Sequence, residues 1–160
     1  MAAAINIAPD LQDRLSEGEA LAVSDHQGFR TELNAAGHRL IADEPVELGG
    51  TDQGPSPYGL LSSALAACTA MTLHLYAKAK KWPLLEIRVL VRHSKVHEKD
   101  CEECETNPKA MVDRLERRIW LSGDLSDDIR ARLLGIAEKC PVHRTLQASV
   151  RVETALVPRA

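Results

Sequence analysis

Residues 60–77 read LLSSALAACTAMTLHLYA, an apolar run interrupted only by Ser62, Ser63, two threonines and His74, with Cys68 near its middle. The run is too long for a single buried strand. Ser56 and Pro57 stand just before it, and Pro83 stands after it. A serine side chain can accept from the first unpaired N–H groups of a helix, and proline at the first helical position loses no hydrogen bond. The spacing therefore predicts a helix over about 57–80. Its surface is apolar nearly all round, with a heavier stripe through Leu61, Ala64, Leu65, Cys68, Thr72 and Leu75, as expected of a central helix.

Short alternating pieces from Glu19 to Asp43, separated by Gly28 and Gly37, predict a three-stranded antiparallel meander. The stretch EPVELGGTDQGPSP holds three glycines and three prolines and is a loop leading into the helix. LLEIRVLVRHSKVH (84–97) and MVDRLERRIWLS (111–122) alternate as paired strands, with Gly123 closing them. A second helix is expected from Ser126, with Asp127 and Asp128 where its dipole favours acids. Ile129, Leu133, Ile136, Ala137 and Cys140 share its inward stripe. Pro141 marks the stop, and ASVRVETALV (148–157) is expected as a final strand. The fold class is α+β in a single domain over residues 1–160, with a polar arm at 1–18 and a loop insertion at 93–109.

Twenty Lys and Arg against 23 Asp and Glu give a net charge of −3, and the basic residues are scattered, so no nucleic-acid partner is expected. MAAAINIAPDLQDRL lacks a basic region followed by a continuous apolar one, and the 60–77 run is broken by serines and His74. The expectation is a cytoplasmic chain without a membrane span. Cysteines in a reducing compartment are buried, catalytic or metal-bound more often than they are structural disulfides.

Cys68 and Cys140 each fall on the inward face of a helix. Packing could bring them to disulfide distance, or both could be small core residues, as free cysteines usually are. If the pair is reactive, Cys68 in mid-helix needs a cation delivered from elsewhere. Cys140 ends its helix, where unpaired carbonyls disfavour an anion, although Lys139, His143 and Arg144 oppose that. Cys68 then fits the attacking thiol and Cys140 the resolving one. His143 and Arg144 are read as capping that helix end, and Trp82 and Trp120 as packing residues.

PVELGGTDQGPSPYGLLSSALAAC, followed some seventy residues later by IAEKCPVH, resembles the OsmC/Ohr family of osmotically inducible and organic hydroperoxide resistance proteins. The resemblance spans roughly residues 19–157. It implies an OsmC-like fold with antiparallel sheets around two central helices, in an intertwined homodimer with active sites at the subunit interface. It also implies thiol-dependent reduction of organic hydroperoxides with no required cofactor: Cys68 becomes a sulfenic acid, Cys140 condenses with it, and an external dithiol resets the disulfide. An apolar cradle, with Tyr58, Leu65 and His74 lining the substrate pocket, suits an apolar peroxide. The family's thiol-activating arginine comes from the meander, where Arg30 is the nearest match and Arg39 the second. Peroxidase members carry a glutamate directly after the helix-starting proline to orient that arginine; here the position is Tyr58, and a phenol forms no bidentate ion pair. The alternative reading is a redox-sensing or small-ligand-binding protein of the same fold with weak turnover.

Within HSKVHEKDCEECETNPK, His93 and His97 are four apart on a strand and face one way, and Cys101 and Cys104 have a spacing that suits a shared tetrahedral metal. Zinc is the candidate ion. A solvated loop with idle thiols and a regulatory disulfide are the competing readings, and the surrounding acids disfavour thiolates while favouring a cation.

Overall fold

The computed structural model describes residues 15–25, 27–97 and 111–156. These fall into two compact units divided between Leu61 and Ser62. In the first, strands β1 (Ala20–Ser24), β2 (Thr31–Ala35) and β3 (His38–Ala42) form the expected antiparallel meander in that spatial order. Ala36 and Gly37 both take positive φ, 48° and 87°, giving the two-residue turn whose twist matches its strands.

The Gly/Pro-rich loop that follows is organised by one carboxylate. Asp43, 2% exposed, receives the Thr51 hydroxyl at 2.6 Å, the backbone N–H groups of Thr51 and Gln53 at 3.1 and 3.2 Å, and that of Glu44 at 2.8 Å. The Thr51 hydroxyl foremost holds this carboxyl below the usual range; burial opposes it and the three backbone donors reinforce it. The loop includes a 3-10 turn at Val46–Leu48 and packs so tightly that a Cβ at Gly54 would collide with the Ile41 carbonyl.

Helix α1 (Pro57–Lys80) has the predicted bounds, with the Ser56 hydroxyl accepting from Gly59 N–H at 3.2 Å. By length and composition it could cross a membrane, yet Leu65, Thr69, Leu73 and Ala77 are buried within the fold. That buried row is rotated from the expected stripe, and Leu75 is 67% exposed. A helix apolar on every side offers no contrast from which its inward face can be read.

In the second unit β4 (Leu84–His97) pairs antiparallel with β5 (Met111–Gly123). The half-buried row of β4, Ile87, Val89, Val91 and His93, stands opposite Leu121, Ile119, Arg117 and Leu115 of β5. Helix α2 (Asp127–Ala137) is capped by Ser126, whose hydroxyl accepts from Ile129 N–H at 3.3 Å. The core comprises Leu73, Ala77, Leu125, Leu133 and Ala137, with Trp82, Ile87, Ile119 and Leu121 packed on it; Trp120 is 52% exposed.

Two expectations change here. The second helix stops at Ala137, short of Cys140, and a further helix, α3 (Pro141–Gln147), follows. Pro141 opens that helix instead of ending the previous one, as its fixed φ and missing N–H allow. The expected final strand is not formed over the described residues 148–156, which are exposed throughout. A strand needs a neighbour to receive its ladder bonds, and no described strand pairs with this segment.

Candidate active site: an interacting thiol pair

Cys68 lies midway along α1 and is half-buried, whereas Cys140 is wholly buried. Although 72 positions apart in sequence, the two thiols stand near enough for each to shift the other's ionisation. Cys140 is the N-cap of α3, with Pro141 at the first helical position, and its N–H reaches the Ala137 carbonyl at 3.3 Å. The charge environment is thus the reverse of the sequence expectation, since backbone N–H groups, not carbonyls, face the sulfur. Burial is the largest single influence on Cys140 and acts upward. It is outweighed by hydrogen bonds from Cys68, the His143 and Val142 N–H groups and the Thr69 hydroxyl, which together bring this thiol below its ordinary value. Cys68 moves the other way: burial and the Cys140 sulfur push it up against the Val142 N–H and the Thr72 hydroxyl. These directions favour Cys140 as the first thiol of the pair to ionise.

An arginine that sequence reasoning overlooked braces both segments. Arg117 on β5, with a side chain 10% exposed, donates to Thr69 Oγ1 at 3.0 Å, to the Ala137 carbonyl at 3.1 Å and to Glu138 Oε1 at 2.8 Å. Glu138 Oε2 is in turn 3.2 Å from His143 Nε2. His143 thus pairs with a carboxylate from within α3 and is not a cap of the preceding helix. A cleft of about 910 Å³ is lined by Leu65, Arg117, Glu138 and His143 together with apolar residues that include Leu134 and Leu146. Its wall combines apolar side chains with the Arg117–Glu138–His143 chain, and neither cysteine is part of it.

The remaining candidates divide. Leu65 is buried and lines this cleft, while Tyr58 is 44% exposed and His74 is exposed on α1, not packed in the core. In the first unit Arg30 donates to Gln53 Oε1 and pairs with Glu32 Oε1, each at 3.1 Å, and Arg39 is exposed on β3. His93 Nε2 stands 2.8 Å from Asp113 Oδ1 on the neighbouring strand. Cys101, Cys104 and the His97 side chain lie outside the described residues. Among the described residues no group of three potential metal ligands is assembled.

Residues 50–155 match the family model of OsmC-like proteins, and the chain belongs to that family. The fold agrees with solved structures. An OsmC-like protein from Mycoplasma pneumoniae has 21% identity and a TM-score of 0.61, over 82% of this chain and 88% of that one. The organic hydroperoxide resistance protein OsmC of Legionella pneumophila has 22% identity and a TM-score of 0.59, over 81% and 88%. OhrB, the organic hydroperoxide resistance protein of Bacillus subtilis, has 18% identity and a TM-score of 0.56, over 81% and 89%. No curated protein matches the chain.

Proposed function

We propose that this chain is a thiol-dependent peroxidase that reduces organic hydroperoxides in the cytoplasm as a homodimer, with an external dithiol as reductant. The juxtaposed Cys68 and Cys140 thiols, each shifting the other's ionisation, carry the reading. Cys68 attacks because it is the less buried sulfur, and access rather than intrinsic acidity separates the two roles. The Cys140 thiolate takes the Cys68 proton. The Cys68 thiolate then forms an S–O bond as the peroxide O–O bond breaks, and the departing alkoxide collects the proton held on Cys140. Cys140, again a thiolate, displaces hydroxide from the Cys68 sulfenic acid to close the disulfide. In this reading Arg30 is the activating cation supplied by the meander, held by Gln53 and Glu32 where the peroxidases use a carboxylate at position 58.

Stopped-flow mixing of the fully reduced chain with an alkyl hydroperoxide tests this, followed by peptide mapping because four cysteines are present. Rapid loss of two thiols, joined as Cys68–Cys140, is the expected result. Oxidation no faster than that of free cysteine, or confined to Cys101 and Cys104, defeats it. Tyr58 in the place of the glutamate favours the second reading, a redox-sensing or ligand-binding protein. In that case the disulfide forms but is not turned over.

A further inference from the structure

Leu115, Arg117, Ile119 and Leu121 form the half-buried row of β5, three apolar side chains and one cation. A guanidinium in such a row is unfavourable unless its donors are met. The acceptors that meet this one all adjoin the cysteines. Thr69 directly follows Cys68 in α1, and Ala137 and Glu138 begin the turn that ends at Cys140. A single side chain thereby ties the helix carrying one thiol to the turn carrying the other.

The hydrogen count at Thr69 adds a second constraint. A hydroxyl has one hydrogen and two lone pairs. Arg117 donates to a lone pair, so the hydroxyl hydrogen points elsewhere, to the Leu65 carbonyl at 2.8 Å, and Thr69 Oγ1 is held from both sides. The elements that meet at the pair carry these charged or titratable groups: Cys68 on α1, Arg117 on β5, Glu138 in the turn and His143 on α3, with Glu138 bonded to both Arg117 and His143.

We propose that Arg117 is a positioning residue for the thiol pair: by donating to Thr69 while holding Ala137 and Glu138, it keeps the helix segment of Cys68 and the turn of Cys140 aligned for disulfide closure. This deepens, and rests on, the reading of Cys68 and Cys140 as a redox couple. Its test is a pH titration of ultraviolet thiolate absorbance in the reduced full-length chain carrying Cys101→Ser and Cys104→Ser, so that only the pair titrates. In that background Arg117→Met raises the first midpoint by about one pH unit, because the segments carrying the two sulfurs lose their common brace and the thiolate loses its placed polar neighbours. Thr69→Val gives a similar rise, Thr69→Ser keeps the original midpoint, and the double variant moves no further than the larger single change. An unmoved midpoint in Arg117→Met, additive shifts in the double variant, or Thr69→Ser behaving like Thr69→Val each overturns the proposal. If Arg117→Met does not fold, the contrast between Val and Ser at position 69 decides alone. No hydroperoxide enters the titration, so a chain inactive as a peroxidase can still show the shift. Hydroperoxide turnover with unmoved midpoints removes the positioning role and leaves the redox reading standing.

Discussion

Cys140→Ser and Cys68→Ser abolish the same disulfide but are expected to leave different products. With Cys140 gone, the sulfenic acid on Cys68 has no resolving thiol and accumulates. Hydroperoxide followed by a cyclic 1,3-dione should label Cys68 in Cys140→Ser, and position 140 should stay unlabelled in Cys68→Ser because its sulfur is wholly buried. A second prediction at this scale concerns Asp43, whose folded pKa is depressed. A depressed carboxylate contributes stability that is fully present above its unfolded pKa and disappears as pH falls through the folded value. The melting-temperature advantage of the native chain over Asp43→Ala should therefore be greatest near neutrality and shrink below the ordinary carboxylate range; an advantage that persists unchanged in acid contradicts the assignment. Individual residues were unevenly legible. The cysteines stood out by type and context, whereas Arg117 did not, although an arginine in register with Leu115, Ile119 and Leu121 of an alternating strand was the available signal. Thr69 was hidden because a threonine within an apolar helix reads as a gap in the stripe until its Arg117 and Leu65 partners are known.

Among the elements, α1 was readable to the residue because chemistry at both ends fixes it: Ser56 and Pro57 open it and Pro83 lies beyond its close. The start of α2 was equally plain, and Ser126→Ala is expected to destabilise the chain by about 1 kcal/mol in chemical denaturation, through loss of the bond from Ile129 N–H. The far end of α2 was misread because Cys140 continues the inward spacing of Ile129, Leu133 and Ile136. Periodicity cannot distinguish one helix running on from two helices that bury neighbouring positions. At only seven residues, α3 is too short to show a period of its own, and Pro141 is compatible with a stop and a start alike.

At the scale of the molecule, antiparallel pairings between strands adjacent in sequence were legible, since hairpin turns set their register. What lies outside one chain was not: the alternation in residues 148–157 resembles a strand, yet the described part of it remains unpaired. Met71 and Leu75 of α1 are 65% and 67% exposed, and Val152 and Leu156 are 85% and 96% exposed. Such apolar surface is characteristic of a chain that meets a second copy. Sedimentation at micromolar concentration is expected to give a dimer, and Leu75→Lys should shift it towards monomer without loss of helix content. A monomeric native chain refutes the homodimer.

Cys140 is the N-cap residue of α3, and disulfide closure consumes its sulfur. No side-chain hydrogen bond caps the helix, but the Val142 and His143 N–H groups at this end favour the Cys140 thiolate; as half of a disulfide the sulfur is neutral and a poor acceptor. Oxidation therefore withdraws an anion from the start of a seven-residue helix that has little intrinsic stability of its own. Amide hydrogen exchange at Val142 and His143 should quicken on oxidation and slow again on reduction. The redox state held in the interior then becomes a change in local order at a segment containing exposed residues, which a reductant could use to distinguish spent molecules from ready ones.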